Sequence, residues 1–235
     1  MKKLYLSNVV LGLLCNLLMA QEARKVQFRT LCLEQIPGLE KVSLVTGGAQ
    51  SSSQEVALYT DVSPVIEGSF SGNEAIFCTE KTGPDGKMQR TPVGKAVLGK
   101  SGRQLFLFMP SGGGEGKLPY QVNAYDDELT DFAMGSIRAI NLAPVPVRFV
   151  LSGMVTPQIP PGKFALFPHS KKVDEYQMYP VVTEFLSANG EWVKGQSVSW
   201  KASDQRREIV LTLVDMKFKQ PSVQSFSDFP PWAGQ

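Results

Sequence analysis

Tyr176–Ser187 (YQMYPVVTEFLS) and Glu191–Trp200 (EWVKGQSVSW) flank the dipeptide Asn189-Gly190. Asn-Gly tolerates positive φ at both central positions of a type I′ turn, so this stretch predicts a β-hairpin. The same signals recur on either side of it. Val147, Phe149 and Leu151 share one face of a short alternating run, and Ile209, Leu211 and Leu213 share another. Lys163–Phe167 follows the turn Pro160-Pro161-Gly162, and Ile137–Leu142 is a further apolar run. Towards the N-terminus, strands are predicted at Val26–Leu33, Val56–Tyr59, Ala75–Cys78, Leu105–Met109 and Tyr120–Tyr125. Leu105–Met109 (LFLFM) is apolar without a break, which predicts a central strand covered on both faces. No long amphipathic helical pattern appears, and glycine (21) and proline (16) are plentiful. The chain is therefore read as all-β.

Loops are marked by composition at Gly47–Ser53, Gly83–Lys87 and Ser111–Gly116. The acidic stretch Asp126–Asp131 interrupts the strand pattern and is the candidate domain boundary. The sequences on its two sides echo each other in order. Ser63-Pro64 with Val65–Phe77 resembles Thr156-Pro157 with Gln158–Phe167, and Lys100–Leu107 resembles Lys201–Leu213. Tyr120–Phe132, ending Asp131-Phe132, resembles Ser222–Phe229, ending Asp228-Phe229. Such ordered echoes are what a tandem internal duplication leaves. The expected architecture is two tandem immunoglobulin-like β-sandwich domains, at residues 24–128 and 133–220, followed by a proline and aromatic tail at 221–235. A single intertwined sandwich built from both halves is the alternative.

Ile137–Phe149 (IRAINLAPVPVRF), followed by Pro161-Gly162-Lys163, resembles exported bacterial β-sandwich proteins of unknown function. These carry a strand, an Asn-Leu turn, a second strand and a proline-glycine turn into a third. The likeness covers roughly residues 133–215. It implies the fold and no activity, since that family offers no catalytic residues to carry over.

The chain opens with Met1-Lys2-Lys3, an apolar run Val9–Met19, the small residue Ala20 and then polar sequence. This is the pattern of a signal peptide at residues 1–20. The run is shorter than the roughly 20 residues a membrane-spanning helix needs, so removal and export to the periplasm or the medium are expected. Leu14 before Cys15 does not suit a lipid-attachment cysteine. Without Lys2 and Lys3 the 24 basic residues become 22, equal to the 22 acidic ones. A neutral chain has no positive field for nucleic acid. Cys32 and Cys78 then remain as a pair, read as one disulfide or as two buried thiols.

Chemical motifs are sparse. The glycines before Lys117 lack the first Gly and final Ser/Thr of a phosphate loop, and Gly68–Gly72 centres on Phe70 rather than serine. His169 is the only histidine and follows Pro168 in a polar segment, which reads as a solvated loop. Asp126, Asp127, Glu128 and Asp131 lack the spacing of a calcium loop and read as a solvated linker. No cofactor or metal is expected. Trp192, Trp200, Tyr176 and Tyr179 lie on or beside the hairpin, where a row of them on one face would stack on sugar rings. The expected function is a non-catalytic, structural or protein-binding component of a bacterial cell envelope, with envelope proteins or glycan as partners. A carbohydrate-binding module using those aromatics is the alternative, and a carboxylate glycosidase is third. The tail aromatics Phe226, Phe229 and Trp232 are expected to pack back onto the second sandwich or to dock into a partner.

Overall fold

Sixteen strands and no helix make up the computed structural model, which describes residues 23–46, 52–215 and 220–234. The signal peptide expected at 1–20 and most of the Gly47–Ser53 loop lie outside the described residues. Among the described residues, no helix is long and apolar enough to cross a membrane.

The first half supplies β1 (Arg24–Cys32), β2 (Lys41–Val45), β3 (Ser53–Ala57), β4 (Ile66–Phe70), β5 (Glu74–Thr82), β6 (Met88–Val97), β7 (Arg103–Pro110) and β8 (Tyr120–Asp126). The second supplies β9 (Ser136–Asn141), β10 (Val147–Leu151), β11 (Met154–Val155), β12 (Phe164–Pro168), β13 (Met178–Leu186), β14 (Trp192–Lys201), β15 (Arg207–Asp215) and β16 (Gln220–Asp228). Each half forms two four-stranded sheets, ordered β4-β1-β7-β8 with β3-β2-β5-β6, and β12-β9-β15-β16 with β11-β10-β13-β14. Adding eight to each strand number converts the first arrangement into the second. Both halves also share a parallel pair, β1 with β7 and β9 with β15, among otherwise antiparallel neighbours. The all-β expectation and the repeat are met. The strand order is another matter: an immunoglobulin constant domain orders its sheets 1-2-5-4 and 3-6-7, and of these neighbours only the β2–β5 type of pair recurs here.

Three cores explain the stacking. The first lies between the two sheets of the first half, where Phe28, Phe77, Phe106, Phe108 and Tyr120 meet edge to face. The second, with Phe149, Tyr179, Val181 and Val210, lies between the sheets of the second half. The third joins the halves: Leu31, Leu105, Leu107 and Met109 pack against Ile140, Ile209 and Leu211. Alternation along β7 sends Phe106 and Phe108 into the first core and Leu105, Leu107 and Met109 into the third. The unbroken apolar run is thus covered on both faces, as its sequence predicts. The result is a stack of four sheets with the parallel-paired sheets in the middle.

The hairpin that decides the fold class is present, with a different turn. Ser187 N–H donates to Glu191 O at 2.8 Å, and Gly190 has φ 84° while Asn189 does not leave the negative-φ region. This is a connection through 188–190 closed by a left-handed glycine, the next commonest hairpin type. Strands β2, β4, β6, β11 and β16 are not among those the sequence predicts; β6 and β16 each carry proline (Pro92, Pro221), which sheets accept at their edges. The segment expected as a proline and aromatic tail therefore begins as an edge strand of the second sandwich.

Candidate functional site

The acidic stretch after β8 is not a solvated linker. Asp127 is fully buried at the junction of the two halves, where it meets Arg29 of β1, Arg207 of β15 and, beyond them, Asp228 at the end of β16. Arg29 Nη2 donates to Asp127 Oδ2 at 2.6 Å and Arg29 Nη1 to Asp228 Oδ1 at 2.5 Å. Arg207 Nη2 donates to Asp127 Oδ1 at 2.8 Å and to Asp228 Oδ2 at 2.5 Å. Two guanidinium groups and two carboxylates thus close a neutral ring out of water. Burial opposes ionisation of both Arg29 and Asp228. The hydrogen bonds and charges of the ring outweigh it, holding Arg29 above and Asp228 below their ordinary ranges.

The surroundings of the ring, though not its pair of arginines, repeat between the halves. Arg29 lies beside Leu105 and Arg138 beside Ile209 in matching parallel registers, and Asp127, just after β8, matches Asp228, the last residue of β16. Turns at Glu128–Phe132 and Pro230–Ala233 fold an aromatic residue back from each half. Phe132 of the first half receives Arg138 and Arg207 of the second, each 4.3 Å from its centroid. Trp232 of the second receives Arg29 and Arg103 of the first, each at 4.8 Å. The tail aromatics therefore divide. Trp232 packs across the junction onto the first half rather than back onto the second sandwich, Phe226 joins the third core, and Phe229 stays exposed. The sequence echo aligned Asp131-Phe132 with Asp228-Phe229, whereas register pairs Asp127 with Asp228.

The residues singled out for binding or redox chemistry are mostly structural. Cys32 and Cys78 are both buried free thiols. Cys32 stands on the inner sheet of the first sandwich with Sγ 3.2 Å from Glu34 O, and Cys78 on the outer sheet with Sγ 3.4 Å from Ser43 O. The disulfide expected between them is absent because their sulfurs are turned to separate backbone carbonyls. The four hairpin aromatics do not form a row. A bulge in the β13–β14 pairing skips Gly195 and reverses the faces of β14. Trp200 consequently packs inward against Phe149 and Tyr179, while Trp192 lies outside under the guanidinium of Arg148 at 4.2 Å. Tyr179 is buried and Tyr176 is exposed away from both. Among the described residues, no group of three or more His, Cys, Asp or Glu could hold a metal ion.

His169 is buried, not a solvated loop residue. Its Nδ1 is 2.8 Å from the Tyr179 hydroxyl, and its Nε2 has no partner. Burial, and then the charge of Arg206, hold its pKa below the ordinary value. The unfolded chain then takes up a proton more readily than the folded one as pH falls below about 6.5. Stability is complete above that value and declines as the pH drops towards the depressed folded pKa. Denaturant midpoints measured between pH 7.5 and 5 should show this decline in the parent and lose it in His169→Gln. An equal decline in both would assign it elsewhere.

One polar cavity opens between the edge strands β14 and β16 of the second sandwich. It measures about 240 Å³, and its walls include Trp200, Glu208, Arg206, Ser199, Ser225 and Ser227. Arg206 Nε donates to Glu208 Oε1 at 2.6 Å, and Ser227 Oγ donates to the same oxygen at 3.2 Å. Of the aromatics expected to bind, only Trp200 reaches this cavity. Glu208 and Arg206 carried no signal in the sequence, since their meeting with Trp200 depends on two sheets closing over one another. Compared with known proteins, the chain matches no family model and no curated protein.

Proposed function

We propose that this chain is an exported, non-catalytic binding protein of a bacterial cell envelope, working as one rigid block of two fused sandwiches. The observation that carries the reading is the contrast between two equivalent edge strands. On β4 the positions on the face shared with Arg29 and Leu31 hold Glu67 and Ser69, polar residues that discourage further pairing. On β12 (FALFP) the corresponding face carries Phe164 and Leu166, 47% and 44% exposed even though Phe164 meets Tyr125 of the first half at 5.5 Å between centroids. An apolar edge strand of this kind suits an extended, apolar segment of another envelope protein, added as a further strand. The groups best able to do chemistry support a non-catalytic role, being engaged in the fold: His169 with Tyr179, Asp127 and Asp228 with arginines.

A photo-cross-linking residue placed at Leu166 tests this in the envelope of the producing cell, with Met88, also exposed, as control. A discrete adduct from position 166, lost when Phe164→Lys is added, is expected. Identical adducts from both positions, or none from 166, would overturn the reading.

A further inference from the structure

The two sandwiches repeat each other strand for strand, so a place where one is filled and the other hollow marks a difference beyond the shared scaffold. The seam between the last strands of the two sheets is such a place. In the first half the link from β6 to β7 folds into the mouth of the seam. Gly99 N–H donates to Gln104 Oε1 at 2.9 Å, Ser101 N–H to Asp126 Oδ1 at 2.9 Å, and Gln104 Nε2 to Asp126 Oδ1 at 2.6 Å. Gly99 is required there, because a Cβ would collide with the Asp126 carboxylate. Arg24 Nη1 seals the link by donating to Gly99 O at 2.7 Å.

In the second half, register replaces Gln104 and Asp126 by Glu208 and Ser227. The acid has moved to the neighbouring strand and its old place holds a small hydroxyl. The link from β14 to β15 is held at its ends instead, by Arg206 to Glu208 and to Lys201 O and by Ala202 N–H to Gln177 O at 2.8 Å. What remains is the cavity of about 240 Å³.

We propose that this cavity binds a single neutral pyranose ring, free or at the end of a glycan. The indole of Trp200 is backed by Phe149 and Tyr179, at 5.8 and 6.4 Å between centroids, and so offers a fixed wall to the C–H face of a sugar. Beside it stand acceptors on Glu208, donors on Arg206 and the hydroxyls of Ser225 and Ser227, which donate and accept. That mixture matches adjacent ring hydroxyls. The volume lies below the roughly 300–1,000 Å³ of pockets for drug-sized ligands, so one ring fits and a peptide or longer glycan does not. Glu208 is already paired with Arg206, and Lys201, which also lines the cavity, is exposed to water that screens its charge, so the field favouring a charged sugar is weak. The cavity lies at the β16 edge of its sheet, opposite β12, so this site and the strand-addition reading stand or fall separately.

The test is an NMR titration of the chain from residue 21 onward. The probes are D-glucose, D-galactose, D-mannose and N-acetyl-D-glucosamine, each also as its methyl glycoside. At least one should move the Trp200 indole and the Ser225 and Ser227 amides with millimolar affinity, leaving the Trp192 indole in place. Binding should weaken at least tenfold in Trp200→Leu and in Ser225→Leu, which blocks the mouth from an exposed position and spares the core. A methyl glycoside that binds as well as its sugar points to a glycan terminus, and one that fails points to the free sugar. If no probe moves those signals, or Ser225→Leu binds as the parent does, the proposal is wrong.

Discussion

Asp228→Asn should destabilise the protein by about 3–5 kcal/mol, the usual cost of removing one partner from a buried ion pair. Asp228 accepts from both Arg29 and Arg207, and neither guanidinium has water to turn to. With the carboxylate gone, two buried cations share Asp127 alone. Arg138 offers the internal control. It is equally buried, yet its Nε and Nη1 have no partner. It donates only through Nη2, to Asp126 O at 2.6 Å, and otherwise lies against the rings of Phe132, Tyr125 and Phe164. Burial pushes its pKa down to about 10, outweighing the attraction of Asp127 and Asp228. Arg138→Met keeps the packing and removes the desolvated charge, so its stability should fall within about 1 kcal/mol of the parent or above it. Guanidinium unfolding at pH 7 compares the two directly. Equal losses would mean that the ring contributes through shape rather than charge.

The same ring responds to acid with a determined sign. Because the Asp228 pKa is held below its ordinary value in the folded chain, its contribution is complete above about pH 4. It is lost as the pH falls from there through the folded pKa. The His169 step, which begins nearer neutrality, precedes it.

Residues 133–235 expressed alone should give an aggregated or molten product that binds hydrophobic dyes, whereas the full chain should unfold in one cooperative transition. Separation strips the cover from Ile140, Ile209 and Leu211, which pack only against Leu31, Leu105, Leu107, Met109 and their neighbours in the third core. Burying such a side chain contributes about 1.5–3 kcal/mol, against a net stability of about 5–15 kcal/mol for a whole domain. Arg207 would also lose Asp127 and the Phe132 carbonyl, to which its Nη1 donates at 2.9 Å. A monomeric half with a sharp transition would show that the third core is dispensable. On that expectation, two sandwiches in sequence are one unit in energy.

Much of this was written in short-range signals. Alternation in Val147–Leu151 and the continuous run Leu105–Met109 state how many faces of each strand are covered, because side chains alternate across a strand whatever surrounds it. The Asn-Gly dipeptide placed the hairpin, and the echoes placed the repeat, although pairing rather than residue likeness set their true alignment. Edge strands β6 and β16 were illegible because a strand with one free side tolerates proline and polar residues.

The chemistry of the interior is another matter. Arg29 on β1 and an acid in a charged run look like surface residues, since burial of a charge is decided by partners 80, 98 and 199 residues away. Arg29 meets Asp228, and His169 loses its solvent, only when the sheets close on one another. The bulge at Gly195, which parts Trp192 from Trp200, likewise follows from how β14 is stretched along β13. Sequence by itself determined most of the strands, the covered faces of those strands and the repeat, because these follow from local periodicity. Only the tertiary structure decided the strand order, the buried charge ring and the hollow seam, because each depends on which distant strands come to lie side by side.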